Sequence, residues 1–218
     1  MTVRHGFTAA QVRAAEQPLL DAGEPLMRRA AAALAAELRD LAPRRALALI
    51  GSGDNGGDAL FALAELADAG MRVDLVATGS RFHAVAAATA LAAGATWADA
   101  ADVASLATDA DVVLDGILGT GTGASPALRG TARDAVAAIL PTLAGPGRPR
   151  VVAVDIPSGI SPDDGSVPDA TVLPADLSVT FGAIKAGLLR DPGARYAGRV
   201  VLVDLGLGPF LGEPVISA

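Results

Sequence analysis

The 218-residue sequence has no cysteine, which removes disulfide frameworks, thiolate nucleophiles and cysteine-ligated metal centres. It has only 2 histidines, His5 and His83, far apart and in no ligand spacing, so each reads as a surface or helix-start residue. Aromatic residues make up 3%, too few for the stacking platforms of single-strand nucleic-acid binders. The 17 basic residues are outnumbered by 24 acidic ones and form no stripe, and the net charge of −7 argues against any nucleic-acid partner. Lysine occurs at Lys185 alone, every other basic side chain being arginine, so that position asks for a reason. Apolar residues reach 51%, but the longest runs are broken by Gly, Asp or Arg well short of a bilayer span. The N-terminus also lacks the basic-then-apolar pattern of a leader. The expectation is a cytoplasmic protein with no membrane contact.

What is present is a strand and helix alternation of a length that one α/β domain, 1–218, fills. Thr8 and Gln11 fit a capping box that opens a helix running toward Pro18, and a second helix spans 26–41 between Pro25 and Pro43. Short apolar runs at 46–50, 73–77, 112–114, 151–154, 177–181 and 200–203 read as strands. Helices are expected at 58–69, 84–93, 101–106 and 131–140. Near-continuous Val, Leu and Ile runs separated by helices predict a three-layer α/β/α Rossmann-like sandwich with a mostly parallel sheet, preceded by two N-terminal helices. The segment 161–174, rich in Asp and Pro turn signals, reads as an ordered surface excursion, a lid or a plain loop.

Chemistry concentrates at strand ends. Gly51, Gly53 and Gly56 follow the first predicted strand and open a helix, the context in which a glycine fingerprint can free backbone N–H groups for an anion. An ordinary dehydrogenase reading is weakened twice. The next strand ends in Val76, Ala77, Thr78 and Gly79 with no ribose-binding acid, and Asp54 and Asp58 put carboxylates where a pyrophosphate needs positive potential. Asp58 also reads locally as a helix-start carboxylate. Asp115 and Asp155 stand at the ends of two further strands, each followed by glycines, so Asn55, Asp115 and Asp155 converge on one edge of the sheet. Asn55, Asp115 and Ser158 offer oxygen donors with one formal charge, which suits a monovalent cation better than calcium. Ser158 has no histidine partner and no Gly-x-Ser-x-Gly context, which disfavours a serine hydrolase. Lys185, after the 177–181 strand, can pair with Asp155, donate to a substrate oxygen or phosphate, or lie solvated on a loop.

Four segments in order resemble the YjeF N-terminal domain family of NAD(P)H-hydrate epimerases: Gly-Ser-Gly-Asp-Asn-Gly-Gly-Asp at 51–58, Asp-Gly-Ile-Leu-Gly-Thr-Gly at 115–121, Val-Asp-Ile-Pro-Ser-Gly at 154–159, and Val-Thr-Phe-Gly-Ala-Ile-Lys-Ala-Gly-Leu at 179–188. The resemblance implies interconversion of the S and R forms of NADHX and NADPHX. It implies substrate contacts from Asp54, Asn55, Gly56, Gly57 and Asp58, from Gly119, Thr120, Gly121, Thr122, Gly123, Ala124 and Ser125, and from Asp155. It also implies a potassium ion (K+) near Asn55, Asp115 and Ser158. One departure stands out, since the family's usual Asn-Asn pair is Asp54-Asn55 here. Asp155 is the candidate general acid/base, with Lys185 positioning it or donating a hydrogen bond. The implied partners are a second copy in a homodimer and a fused or separate NAD(P)HX dehydratase. A non-catalytic nucleotide-binding or scaffold module of the same fold is the competing reading, disfavoured by retention of Asp155, Lys185 and both glycine loops.

Overall fold

The structure is a computed structural model, and it describes residues 3–121 and 125–218. Seven strands form one all-parallel sheet: β2 (Arg45–Ile50), β3 (Arg72–Ala77), β4 (Thr96–Trp97), β5 (Val112–Gly116), β6 (Arg150–Val154), β7 (Leu177–Phe181) and β9 (Arg199–Val203), in the order β4-β3-β2-β5-β6-β7-β9. Helices α1 (Ala9–Asp21), α2 (Leu26–Asp40), α3 (Asp54–Asp68) and α4 (Ala84–Ala92) cover one face, while α5 (Val103–Asp109) and α6 (Gly130–Ile139) cover the other. Side chains alternate along the strands to feed both layers. Ala46, Ala48 and Ile50 of β2 pack with α1 to α4, and Leu47 and Leu49 pack with α5 and α6. This is the expected three-layer arrangement.

A second sheet has no counterpart in the sequence reading. β1 (His5–Phe7) lies between β8 (Ile184–Lys185), to which it runs parallel, and β10 (Ile216–Ser217), to which it runs antiparallel. The two N-terminal helices are therefore preceded by a strand. Runs of two or three residues carry no readable period, and their pairing is set by tertiary contacts. β4 escaped notice for the same reason.

The expected capping box is present, with Thr8 Oγ1 accepting from Gln11 N at 3.2 Å and Gln11 Oε1 from Thr8 N at 2.9 Å. The helix it opens passes through Pro18 to Asp21 and does not stop at the proline. Ala14 and Pro18 are both exposed, so the carbonyl that loses its intrahelical partner faces water. Helix α3 begins at Asp54, four residues before the expected start at 58, and so takes Gly56 and Gly57 into its first turns.

The direction of strand succession reverses between β2 and β5, and in a parallel sheet that switch point opens a crevice at the carboxyl ends of the strands. Two loops meet there at backbone contact. A Cβ on Gly51 would sit 1.8 Å from the Ile117 carbonyl oxygen, and one on Gly56 would sit 2.3 Å from that of Gly51, so only glycine lets the β2 and β5 loops close on each other. The segment 161–174 is ordered by contacts of its own. Val167 and Val172 pack with Ile156, Ile160 and Ile184, and Asp163 caps α1 through Ala9 N at 2.6 Å.

Candidate active site

A cavity of about 600 Å³ lies at the switch point. Its floor comes from the first turns of α3, with Asn55 and Asp58, and from strand ends, with Asp155, Phe181 and Lys185, and its roof from α1 and α2, with Arg13, Glu16, Leu26 and Met27 among others. None of residues 161–174 lines it, so that excursion is not its lid.

Asp155 and Lys185 meet directly. The Lys185 ammonium, only 2% exposed, donates to Asp155 Oδ1, to Phe181 O at 2.8 Å and to Thr180 Oγ1 at 3.3 Å. Asp155 Oδ1 also accepts from Thr180 Oγ1 at 3.1 Å and from Phe181 N at 3.2 Å. Its Oδ2 accepts nothing among the described residues and is left for the cavity. The backbone of Asp155 is in the left-handed region at φ 68°, a conformation that costs a non-glycine residue of order 1 kcal/mol. Lys185 reaches the pair because the chain reverses after β7 at Gly182, where φ is 72° and a Cβ would meet Leu207 Cδ1 at 2.3 Å. Pairing of Phe7 with Lys185 across β1 and β8 then fixes the lysine from the N-terminal side.

Asn55 and Ser158 meet at Leu118, and Asp115 joins them through Ser158. Ser158 Oγ donates to Asp115 Oδ1 at 2.6 Å and accepts from Leu118 N at 2.9 Å, while Ser158 N donates to Asp115 Oδ2 at 2.8 Å. Asn55 Nδ2 donates to Leu118 O at 3.0 Å and to Val154 O at 2.8 Å, and its Oδ1 faces Gly119, where a Cβ would come within 2.9 Å. Asp115 is 1% exposed, and burial raises its carboxyl above the usual range against the hydrogen bonds from Ser158 and Ile117. Among the described residues no cationic side chain pairs with it. A buried carboxylate without a counter-charge, beside amide, hydroxyl and carbonyl oxygens, fits a hard monovalent cation. Among the described residues no group of three or more His, Cys, Asp and Glu is arranged to hold a metal.

The other expected contacts divide. Asp54, Asn55, Asp58, Gly119, Thr120, Gly121 and Asp155 line the cavity. Ser125 lines a neighbouring one of about 310 Å³, with Thr78, Gly79 and Arg129, that shares Ser52, Ile117, Leu118 and Gly121 as a common wall. Thr122, Gly123 and Ala124 lie outside the described residues. Gly56 and Gly57 line neither cavity. Their N–H groups both donate to Gly53 O, and the space beside each is filled, by Gly51 O and by Met27 and His83 respectively. Their lack of a side chain serves packing of α3. His83 caps α4 through Ala86 N at 3.1 Å, and His5 stands exposed on β1, as their isolation in the sequence suggests.

The contribution of α1 was missed in the sequence. Arg13 donates from Nη1 to Thr120 O at 3.0 Å, tying the helix to the second glycine loop, and Glu16 stands one turn along. Burial raises the Glu16 carboxyl, with Asp155 and Asp54 adding to the rise and Lys185 and Arg13 opposing it. Asp58, 8% exposed, is raised well above the usual carboxylate range by burial and then by the charges of Asp155 and Asp54. The available signal was the i, i+3, i+4 and i+7 face of α1, where Arg13, Glu16 and Gln17 stand among apolar neighbours.

The family described as YjeF-related protein N-terminus matches residues 23–187. An NAD(P)H-hydrate epimerase of Clavibacter michiganensis is 53% identical over 222 residues, covering 99% of this chain and 96% of that protein. A bifunctional NAD(P)H-hydrate repair enzyme Nnr of Mycobacterium tuberculosis is 40% identical, covering 94% of this chain and 42% of that protein. The crystal structure of yeast ynu0, YNL200c, superposes with a TM-score of 0.77 over 97% of this chain and 95% of that one at 14% identity, which shows the shared fold.

Proposed function

This chain belongs to the family of YjeF-related protein N-termini, and from that premise we propose that it is an NAD(P)H-hydrate epimerase, an isomerase that interconverts the S and R hydrates of NADH and NADPH in nicotinamide nucleotide repair. The observation that carries this reading is the buried Asp155–Lys185 pair, whose free carboxylate oxygen opens on a cavity large enough for a hydrated nicotinamide ring. In the substrate the hydroxyl and the ring nitrogen share C6, and inverting that carbon requires a proton to move at one of those two atoms. Asp155 moves it. Lys185, Thr180 and Phe181 N hold the other carboxylate oxygen, so the reactive one is aimed without a search of rotamers. A scaffold protein has no use for such a pair.

The dinucleotide extends from the first cavity across the shared wall, its pyrophosphate on the N–H groups of Gly119, Thr120 and Gly121, and its adenosine half toward Thr78, Ser125 and Arg129. Among the described residues no hydrogen bond engages the N–H groups of Gly119, Thr120 or Gly121. Asn55, Asp115 and Ser158 would hold a potassium ion, which would supply a fixed positive charge against the buried Asp115 carboxylate. We place the enzyme in the cytoplasm, as one epimerase unit over 1–218 that works as a homodimer beside a dehydratase on a fused or separate chain. Among the described residues no helix is long and apolar enough to cross a membrane.

The test is the return to equilibrium of a hydrate mixture enriched in one epimer, followed by chromatography in potassium buffer and again with choline in its place. Faster return with protein than without is expected, together with loss of that activity in choline and rescue by added potassium. Return at the spontaneous rate removes the epimerase reading, and indifference to the cation removes the potassium ion.

A further inference from the structure

The cavity wall formed by α1 and α3 carries acidic groups that proton transfer at Asp155 leaves unused. Asp58 Oδ1 is buried without any hydrogen-bond partner among the described residues, on a side chain that lines the cavity. Leaving a buried acceptor unpaired costs about 1–3 kcal/mol, and the carboxyl's other oxygen, Oδ2, accepts no hydrogen bond among the described residues and is the one left to meet a ligand in the cavity. Glu16 of α1, Asp54 of α3 and Asp155 after β6 present carboxyls to the same space. The opposing cations are already engaged, Lys185 by Asp155, Thr180 and Phe181 O, and Arg13 by Thr120 O. α2 brings only Leu26, Met27 and Ala30 to the cavity, and His83, which caps α4, packs against Gly57 and Phe61. Asp58 is thus left with no protein cation, in surroundings whose field favours a positive ligand.

Resting on the epimerase reading, we infer that the Asp58 wall selects the route of epimerisation: C6 inverts through a planar cationic ring formed by loss of water, and not through a ring-opened aldehyde. The C6–O bond breaks with its electron pair on oxygen, which takes the proton carried by Asp155 and leaves as water. The N1 lone pair becomes the second bond of N1=C6, and the positive charge spreads over the ring against Asp58 and Glu16. Water then adds to the opposite face of C6 and returns a proton to Asp155, and the π pair goes back to nitrogen. Nothing is oxidised and no co-reactant is consumed. Ring opening would instead break N1–C6 and give a neutral amine and aldehyde, which leave Asp58 without a charge to meet.

The two routes differ in the fate of the C6 oxygen. In ¹⁸O-labelled water, mass spectrometry of the epimerised product at early times is expected to show one solvent oxygen per inversion. Retention of the original oxygen overturns the inference and leaves the epimerase reading standing, because an aldehyde returns the same atom on closure. Absence of any catalysed epimerisation removes both. A second arm uses NAD+ and NADH as stable probes, one with a planar cationic ring and one neutral. Calorimetry is expected to give about tenfold tighter binding of NAD+ to the wild type, and Asp58→Asn is expected to erase that preference. Equal affinities in the wild type, or a preference that survives Asp58→Asn, overturn the role given to this wall.

Discussion

Asp155 is held by one oxygen and works with the other. Oδ1 takes hydrogen bonds from Lys185, Thr180 and Phe181 N, which leaves Oδ2 as its exchangeable site. Asp155→Asn keeps the size and most of the hydrogen bonding but abolishes titration, so it isolates acid/base work from packing. The expected loss of epimerase kcat is about 10²–10⁴-fold with nucleotide binding largely intact. Lys185→Met removes a buried donor that acts through the carboxylate, and a smaller loss is expected, of about 10–10²-fold, since two donors to Oδ1 remain. Turnover of Asp155→Asn near the wild-type rate excludes the residue from the mechanism. A loss in Lys185→Met as large as that in Asp155→Asn makes the lysine itself the proton donor.

The glycines of the two loops divide at the scale of elements. Gly51 sits at a backbone-to-backbone contact between the β2 and β5 loops, whereas a Cβ on Gly121 would meet nothing within 4 Å, and its φ is not left-handed. Gly51→Ala is therefore expected to cost roughly 3 kcal/mol or more in urea unfolding, in the range of severe overpacking. Gly121→Val is expected to unfold like the wild type and to weaken dinucleotide binding by calorimetry, since its side chain would intrude on the nucleotide path. Unchanged affinity in the valine variant moves the pyrophosphate elsewhere. The same loops explain how much was legible in the sequence. Strand-end acids followed by glycine stand out in one dimension, so Asp115, Asp155 and the parallel sheet were readable. The start of α3 was not, because Gly56 and Gly57 lower helix propensity locally while their missing Cβ atoms are what allow the helix to dock. Glu16 and the unpaired oxygen of Asp58 were hidden for another reason. Their significance depends on α1 lying over the cavity, and that placement rests on tertiary contacts such as Arg13 with Thr120 and Ala9 with Asp163.

For the molecule as a whole, the acidic cavity should weaken the unliganded fold in a way that pH reveals. Burial, reinforced by Asp155 and Asp54, raises the Asp58 carboxyl well above its ordinary value of 3.8, so the folded protein keeps a proton there that the unfolded chain has released. With more protons bound in the native state, stability falls as pH rises from about 3.8 through the raised value. Asp164 behaves oppositely. Its hydrogen bonds from Ser161 and Ser166 hold it at about 2, a contribution present above the ordinary carboxylate range and lost as pH falls through that value. Asp58→Asn removes only the first effect. The variant is expected to melt about 2–4 °C higher than the wild type at neutral pH, with the gap closing as pH is lowered to the ordinary carboxylate value. Bound NAD+ should reverse the order, because it supplies the wild-type carboxylate with the positive partner it lacks and offers the amide nothing comparable. Calorimetric melts across the acid-to-neutral range, with and without NAD+, measure both differences. A variant that melts lower than the wild type at neutral pH without ligand, or a gap that does not change with pH, would show that Asp58 is accommodated in the empty cavity without penalty.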